Sequence, residues 1–384
     1  MSTQILSGAR VFDGERLLDD HVVIIDEAKI ASVQPDNPAL RGRRLVLDKG
    51  ILAPALLDLQ VNGGDGRMVD GQTDLAVLHH ICAAHLRLGS AGILPTLITD
   101  TPEATARVIA AGIAAARART PGFLGLHLEG PHLDPARKGA HDPALIRPMT
   151  SDDVAVLCTA AQALPALMVT LAAENASAEQ ISALARAGVV VSLGHSDCSY
   201  ETARAAMAAG ARCATHLFNA MSQLGNRQPG LVGAVLDGTL AAGLIADAIH
   251  VSPANIRIAL AARKDGLFLV SDCMAFAGSD LRDLWLNGRL VQRHGGRLTL
   301  TDGTLAGADL TLPRALKIMV QAVGVPAPRA LAMATSVPAA VIAADQQHGH
   351  LAKGRAANLV HLDANWGLGA VWHNGLLLPD PLRT

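Results

Sequence analysis

Four side chains with the chemistry of a catalytic metal centre stand at the ends of apolar runs that are far apart in the sequence. Glu129, His195 and His216 each follow or end such a run, and a second carboxylate, Asp272, ends another. One carboxylate and two imidazoles with an open fourth position describe a catalytic divalent metal site. Asp272 could accept a proton from water and return it to a leaving group. The pattern therefore predicts a hydrolytic centre.

Each of these residues also has a structural alternative. Buried glutamates and histidines with hydrogen-bond partners are common in proteins without metals, and Asp272 could cap a helix. His127 shares a strand face with Glu129, because side chains alternate along a strand, so it is another candidate ligand or a partner of a ligand. His141 is either a donor to a substrate oxygen or a surface histidine.

Two further features have a functional and a structural interpretation. Residues 219–230 form a turn-rich loop with a single arginine, Arg227. Backbone N–H groups and a guanidinium bind phosphate together, although a single loop arginine is usually just solvated. Cys273 follows Asp272 and invites the hypothesis of a cysteine nucleophile. Free cysteine is more often a small buried apolar residue, which is the interpretation that we adopt.

The composition excludes several functional classes. The chain has 384 residues, a formal net charge of −2 and only 2% aromatic residues, which argues against a nucleic-acid-binding surface. The five cysteines form no C-x-x-C pair, which favours a reducing compartment. No secretory signal is visible, and the uncharged run 154–173 contains Gln162 and Pro165, which favour a helix, a turn and a strand. We predict a soluble, cytoplasmic protein with no nucleic-acid or membrane partner.

The elements that must position these side chains alternate between apolar runs and Ala/Arg-rich stretches. Eight such alternations predict a parallel (β/α)8 barrel of the TIM type, whose strand ends meet on one rim. An open doubly wound sheet would need a Gly-rich phosphate turn leading into a helix after its first strand, and none is present. The runs are 51–61, 92–98, 123–129, 166–171, 189–195, 213–217, 242–246 and 267–272, with helices predicted over 75–88, 102–118, 178–187 and 201–209.

The two ends of the chain differ from this middle part. Residues 1–52 and 350–384 contain short strand-like runs interrupted by glycine, proline and Asp-Gly turns. Neither end is long enough to bury a core alone. We therefore predict one small β-sandwich domain built from both termini, and a catalytic barrel over residues 53–349.

Eight motifs, spread over nearly the whole chain in a matching order, resemble those of the N-acetylglucosamine-6-phosphate deacetylases of the amidohydrolase superfamily. They are HLEGPHL (127–133), KGAHDP (138–143), VSLGHSD (191–197), THLFNAM (215–221), NRQPGLVGAVLD (226–237), ADAIHV (246–251), LVSDCMAFAG (269–278) and GTLAGADLT (303–311).

This resemblance implies removal of the acetyl group of N-acetyl-D-glucosamine 6-phosphate, which yields D-glucosamine 6-phosphate and acetate. It implies that Glu129, His195 and His216 bind the metal, that Asp272 is the general base and acid, and that His141 polarises the carbonyl group. The residues that it implies for substrate binding, besides Arg227, are Ala140, His141, Asn219, Ala220, Asp247, Ala248, Ile249, His250, Leu305, Ala306 and Gly307.

The resemblance also makes statements about the metal and the assembly. Gln60 and Asn62 stand where the superfamily often has His-x-His, and neutral amides are weak zinc ligands. We predict one divalent metal per subunit, with Zn²⁺ preferred and Fe²⁺ or Co²⁺ as alternatives. Arg227 is implied to reach the phosphate of a neighbouring subunit's substrate, which implies a homodimer.

Two alternatives stay open at this point. The substrate could be another N-acyl amino sugar phosphate, such as N-acetylgalactosamine 6-phosphate, because Phe276 is bulky for the loop that follows Asp272. It could also be a phosphate-free amide, for which Arg227 would be unimportant. A non-catalytic assembly protein on the same barrel would be expected to have lost ligands or Asp272, yet all four residues are present.

Overall fold

Short strands occupy the first part of the computed structural model, which describes residues 3–379. Buried apolar residues, such as Val22, Val23 and Ile25 of His21–Asp26, give these strands a face for a core. Four of them form the sheet β5-β4-β1-β6, and three join a second sheet. The strands are β1 (Gln4–Ser7), β2 (Arg10–Phe12), β3 (Leu17–Leu18), β4 (His21–Asp26), β5 (Lys29–Pro35), β6 (Arg43–Val46) and β7 (Ile51–Pro54).

Eight parallel strands then form a barrel in which spatial order follows chain order. Their residues are almost all buried, as expected for strands covered on both faces. A small hairpin of β9 (Gly63–Gly64) and β10 (Arg67–Met68) follows the first strand. The barrel strands are β8 (Leu56–Val61), β11 (Ser90–Ile98), β12 (Leu126–Glu129), β13 (Leu167–Leu171), β14 (Val190–Leu193), β15 (Cys213–Ala214), β16 (Ala241–Leu244) and β17 (Leu267–Leu269).

Helices surround the barrel, and side-chain caps mark where most of them begin. Asp74, Thr101, Thr150 and Ser177 each accept a hydrogen bond from a backbone N–H of the first turn. The helices between barrel strands are α1 (Leu75–Arg87), α2 (Pro102–Arg117), α3 (Ser151–Ala163), α4 (Ala178–Arg186), α5 (Tyr200–Ala209), α6 (Gly230–Asp237) and α7 (Pro253–Ala262). No helix within residues 3–379 has the length and apolar character to cross a membrane.

After the eighth barrel strand the chain forms a separate antiparallel sheet, then three short helices, then the last strands. The sheet consists of β18 (Asp283–Leu286), β19 (Arg289–His294), β20 (Arg297–Leu300) and β21 (Leu305–Ala308). The helices are α8 (Leu312–Ile318), which continues into a π-helical turn (Met319–Val323), α9 (Ala327–Met333) and α10 (Ser336–Val341). The last strands are β22 (Leu359–Leu362), β23 (Leu368–His373) and β24 (Leu376–Leu377).

The terminal strands assemble into a small β domain. β22 pairs with β7, so the C-terminal strands extend a sheet whose order is β24-β23-β22-β7-β2-β3. Leu6, Val23, Leu52, Leu359 and Trp372 belong to one buried cluster that joins the two sheets. The predicted fold class is confirmed: a TIM-like barrel accompanies a small domain built from both ends of the chain.

The strands over residues 51–61 and the sheet β18–β21 differ from the prediction. The run predicted as one strand over 51–61 is two strands, because Ala55 donates its N–H to Asn358 and separates β7 from β8. The sheet β18–β21 was not predicted. The domain division at residues 52/53 and 349/350 stays a prediction, and residues 1–2 and 380–384, which it includes, lie outside the described part.

The barrel closes between its last and first strands through a buried carboxylate. Asp58 of β8 is 1% exposed and accepts hydrogen bonds from the backbone N–H groups of Ser271 and Gln60, at 3.1 and 3.3 Å. Burial nevertheless raises the pKa of Asp58 from 3.8 to about 7. The folded protein therefore binds a proton that the unfolded chain releases. The raised pKa of Asp58 makes the stability of the fold depend on pH. The contribution of protonated Asp58 to stability is fully present below pH 3.8 and is lost as the pH rises through 7.

We therefore expect Asp58→Asn to stabilise the protein at pH 8, where wild-type Asp58 is charged. Asparagine retains a carbonyl acceptor without the charge, so the free energy of unfolding should rise by up to about 4 kcal/mol. The gain should shrink as the pH falls from 7 toward 4, where the wild-type side chain is neutral. Urea unfolding of both proteins across this pH range measures the difference, and a pH-independent difference would contradict the expectation.

Candidate active site

Four strand ends place the predicted catalytic side chains on one rim of the barrel. Glu129 is the last residue of β12, while His195, His216 and Asp272 follow β14, β15 and β17 by two or three residues. The latter three have positive φ angles of 48°, 29° and 50°. Such backbone conformations are uncommon for residues other than glycine, and they tend to cluster at functional sites.

Glu129, His195 and His216 converge on a common point. The Nε2 atoms of His195 and His216 lie 3.2 and 3.1 Å from Glu129 Oε1, and 3.0 Å from each other. Tetrahedral ligands at bond lengths of about 2.0–2.1 Å are separated by roughly 3.3 Å, which is close to these distances. All three residues are at most 5% exposed. The three atoms therefore have the spacing and the chemistry of a divalent metal site.

Asp272 lies beside this group and is held by two side-chain amides. Its Oδ1 accepts hydrogen bonds from Asn62 Nδ2 at 2.7 Å and Gln60 Nε2 at 3.2 Å. Gln60 Nε2 also donates to Glu129 Oε1 at 3.0 Å, so one amide links the two carboxylates. Gln60 and Asn62 use their N–H groups as donors here, which leaves them as partners of the carboxylates.

The two carboxyl groups have opposite pKa shifts. Burial alone would raise the pKa of Glu129, but hydrogen bonds and charge from His195 and His216 hold it well below the ordinary value. Burial and the nearby charge of Glu129 raise the pKa of Asp272 from 3.8 to about 6. One carboxyl therefore stays ionised while the other titrates near neutral pH, which is the division of roles expected of a ligand and a proton carrier.

His141 is oriented by Thr99 at the end of β11. Its Nδ1 accepts the Thr99 backbone N–H at 3.2 Å and lies 2.8 Å from Thr99 Oγ1. Burial lowers the pKa of His141 to about 3, so the ring is neutral. With Nδ1 as acceptor, the ring proton is on Nε2, which becomes a donor. His141 is therefore suited to donate a hydrogen bond to a substrate oxygen.

A second set of three potential ligands overlaps with the first. Glu129, His141 and His195 also offer ligand atoms within 4.8 Å of one another. The hydrogen bond from Thr99 favours protonation of His141 at Nε2, and a protonated nitrogen offers no lone pair to a metal. His216 is the better third ligand on this argument, and the assignment stays a prediction.

His127 lies below the site and has partners for both ring nitrogens. Nδ1 lies 3.1 Å from the Leu59 carbonyl oxygen, and Nε2 lies 2.7 Å from Thr170 Oγ1. Thr170 Oγ1 is in turn 2.6 Å from Thr215 Oγ1, on the strand end that leads to His216. The geometry favours a structural role for His127 in the barrel interior rather than direct ligation.

A cavity of about 260 Å³ opens directly above these groups. Of the residues implied for substrate binding, those that line it are Ala140, His141, Asn219, Ala220, His250, Leu305, Ala306 and Gly307. Asp247 acts through a neighbour: its Oδ2 lies 2.6 Å from His250 Nδ1 and its Oδ1 accepts the backbone N–H of Ile249 at 2.8 Å. Ala248 and Ile249 belong to the same turn but do not line the cavity.

Arg227 stands apart from this group. It is exposed in the loop before α6 and does not line the cavity of its own chain. A single chain therefore does not test the predicted contact with a neighbouring subunit.

Cys273 and Phe276, which follow Asp272, are both buried. Cys273 is completely buried, and burial raises the pKa of its thiol well above the ordinary value, so it is a packed residue and no nucleophile. Phe276 is buried in the cluster beneath β18–β21 and does not line the cavity.

Sequence reasoning missed several apolar residues that line the cavity. Met68, Ile98 and Leu286 are the last residues of β10, β11 and β18, and Met274 lies in the loop after β17. Their types carry no chemical signal. Position at the end of a barrel strand could have indicated only Ile98, which precedes Thr99.

Comparison with known proteins shows the family of this chain. Residues 51–378 match the model of the amidohydrolase family, which covers most of the chain. The chain belongs to the amidohydrolase family. Membership of this family indicates a divalent metal, and Glu129 with His141 and His195 offers a possible site for it.

Curated relatives and solved structures extend the family match over the whole chain. An N-acetylglucosamine-6-phosphate deacetylase of Haemophilus influenzae is 34% identical, over 94% of this chain and 95% of its own. An N-acetylgalactosamine-6-phosphate deacetylase of a Shewanella species is 35% identical, over 97% and 95%. The crystal structure of an N-acetylglucosamine-6-phosphate deacetylase from Pasteurella multocida superposes with a TM-score of 0.93 at 32% identity, over 98% and 99%.

Proposed function

We propose that this amidohydrolase removes the acetyl group of N-acetyl-D-glucosamine 6-phosphate and releases D-glucosamine 6-phosphate and acetate. The observation that carries this proposal is the convergence of Glu129, His195 and His216 beside Asp272 at the floor of one cavity. The names of the relatives support the substrate, and the family supports the hydrolysis. The reaction serves amino sugar metabolism.

One divalent metal per subunit would be held by Glu129, His195 and His216. A set of one carboxylate and two imidazoles suits Zn²⁺ and also Fe²⁺ or Co²⁺. When bound, such an ion polarises a carbonyl group and lowers the pKa of water toward about 7. Gln60 and Asn62 donate to carboxylates, which supports a single ion rather than a pair.

The chain's own residues would then move the protons. Asp272 takes a proton from the water that attacks the acetamide carbon, and its pKa of about 6 keeps it largely ionised at neutral pH. His141 donates its Nε2 proton in a hydrogen bond to the carbonyl oxygen, where negative charge develops. Asp272 returns the proton to the nitrogen as the C–N bond breaks, and the proton left on the new carboxyl group passes to the released amine, which gives acetate and the ammonium form of glucosamine 6-phosphate.

The remaining assignments complete this proposal. The sugar phosphate lies against Asn219, Ala220 and His250, which Asp247 holds in place. The protein is a cytoplasmic homodimer, with a catalytic barrel over residues 53–349 and Arg227 contributed across the interface. The exposure of Arg227 supports this role, because a guanidinium that does not line the cavity of its own subunit can reach the cavity of a neighbouring subunit.

Acetate release from four substrates tests the proposal. We expect the highest kcat/KM for N-acetylglucosamine 6-phosphate, a lower value for its galactosamine epimer, and at least about 100-fold lower values for the two phosphate-free sugars, which lack a charge-assisted contact. The relatives include deacetylases named for each epimer, and neither group is the better match. If kcat/KM is higher for the galactosamine epimer, N-acetylgalactosamine 6-phosphate becomes the assigned substrate. If none of the four substrates releases acetate, the proposed activity is refuted.

Mixed dimers test the proposed role of Arg227. We expect Arg227→Ala to lower kcat/KM for the phosphorylated substrate about 10- to 100-fold, because a charge-assisted hydrogen bond is worth roughly 1.5–3 kcal/mol. Co-assembly with Asp272→Asn subunits should then restore activity, because each Asp272→Asn subunit lends its arginine to the intact centre of its neighbour. Arg227→Lys is the conservative control. Lack of restoration in verified mixed dimers would show that Arg227 does not act across an interface.

A further inference from the structure

The cavity above the catalytic group has two chemically different sides. Met68, Ile98, Met274, Leu286 and Ala306 line one side, and none of these side chains carries a polar hydrogen-bonding group. All five belong to, or pack against, one apolar cluster beneath the sheet β18–β21. This side therefore continues a hydrophobic core into the cavity rather than exposing isolated apolar atoms.

The apolar side lies next to the reacting groups. Ile98 is the register partner of Glu129 in the pairing of β11 with β12, so the two residues are neighbours at the barrel rim. Met274 follows Asp272 by two residues, and its side chain packs against Gly307, where a Cβ would approach Met274 Cγ to 2.8 Å and the Asp272 carbonyl oxygen to 2.9 Å. The apolar side therefore begins at the atoms that would surround the scissile bond.

The residues proposed to hold the sugar phosphate lie across the barrel from Ile98, whereas the polar residues near Ile98 are Asn62, Glu129 and His141 of the catalytic group. Asn219 and Ala220 follow the sixth strand and His250 follows the seventh, whereas Ile98 ends the second. In an eight-stranded barrel the second and sixth strands face each other. A substrate with a polar sugar phosphate on one side of the amide and an acyl group on the other fits in one orientation. Its acyl group would then point toward Met68 and Ile98.

We propose that this apolar side is an acyl subsite that accepts unbranched N-acyl groups longer than acetyl, namely propionyl and butyryl. The proposal rests on the proposed amide hydrolysis. An acetyl group ends in one methyl, which leaves most of the side chains of Met68, Ile98, Met274 and Leu286 uncovered. Two of the four are methionines, whose flexible thioether chains adapt to fill irregular space. Longer acyl chains bury more apolar surface there, and each added methylene raises the affinity roughly fourfold.

The wild-type protein alone provides the first test. We would measure kcat/KM for glucosamine 6-phosphate carrying acetyl, propionyl, butyryl or hydroxyacetyl groups. We expect kcat/KM for propionyl and butyryl to be no more than tenfold below that for acetyl, and propionyl to exceed hydroxyacetyl, which has nearly the same shape but buries a hydroxyl against apolar side chains. A loss of more than tenfold for propionyl, or a preference for hydroxyacetyl, would overturn the subsite.

Variants then locate the subsite. Ile98→Phe should lower the ratio of butyryl to acetyl kcat/KM at least tenfold, because the larger side chain fills the subsite. Met68→Ala should shift the same ratio, and it keeps the test possible if Ile98→Phe fails to fold. Ile258→Phe is the matched control, because Ile258 is 56% exposed on α7, and it should keep the wild-type ratio. Equal ratios in the wild type and both cavity variants would place the acyl chain elsewhere.

The outcome also separates this inference from the activity on which it rests. If the acetyl substrate is hydrolysed and the longer ones are not, the acyl subsite is wrong and the deacetylase activity stands. If no N-acyl glucosamine 6-phosphate is hydrolysed by metal-loaded protein, the proposed function itself fails.

Discussion

Asp272→Asn is expected to lower kcat/KM for the acetylated sugar phosphate by at least about 10³-fold while the protein still binds its metal. General acid–base catalysis is worth roughly 10²–10⁴-fold, and here one carboxyl serves both proton transfers. Asparagine has nearly the same shape and can still face Asn62 and Gln60, but it cannot accept a proton. The loss should appear in kcat rather than KM, because the group acts mainly in the transition state.

The measurement pairs steady-state kinetics with metal analysis and thermal unfolding. Asp265→Asn is a matched control, since Asp265 is exposed in the turn before β17, at the opposite end of that strand from Asp272. It should keep wild-type kinetics. Retained turnover in Asp272→Asn would remove this residue from the mechanism. Loss of the metal in the same variant would instead make Asp272 a ligand.

The second large effect concerns the metal itself. We expect Glu129→Gln and His216→Ala to lower metal affinity by more than about 100-fold, because even residues that only support metal ligands contribute 10- to 100-fold. His141→Ala should keep the metal and lose activity, since the Nδ1 of His141 accepts a hydrogen bond from the Thr99 backbone N–H and its Nε2 is placed to donate. Competition with a chelator measures affinity without any need for turnover.

His141→Ala and His216→Ala together distinguish the two overlapping sets of three ligands. If His141→Ala loses the metal and His216→Ala keeps it, His141 is the third ligand and His216 is not. Thr99→Val serves as a further control, because it removes the hydroxyl beside His141 Nδ1 but retains the backbone N–H. It should leave metal affinity unchanged.

Much of this site follows from the sequence because the barrel imposes a strict rule. Side chains at the C-terminal ends of parallel strands share one rim, so Glu129, His195, His216 and Asp272 could be grouped once the strands were recognised. The apolar runs that mark these strands are local patterns, and all eight strands lie within or overlap the predicted runs. The fold class and the amidohydrolase chemistry were accessible for this reason.

Other features depend on contacts between distant segments and had no local signal. The break between β7 and β8 arises because Ala55 bonds to Asn358, more than 300 residues later. The amide of Gln60 joins Glu129 to Asp272 only because the first, third and eighth strands meet. A carboxyl such as Asp58 acquires a pKa of about 7 from its surroundings and not from its neighbours in the sequence.

The sequence by itself determined which catalytic groups the chain carries and which rim of the barrel receives them, because strand periodicity and residue type are local properties. Only the tertiary structure decided that Met68, Ile98 and Met274 line the cavity above Glu129 and Asp272, and which way the ring of His141 is turned. Burial and hydrogen bonding are properties of assembled neighbours, and those neighbours come from strands and loops that lie far apart in the sequence.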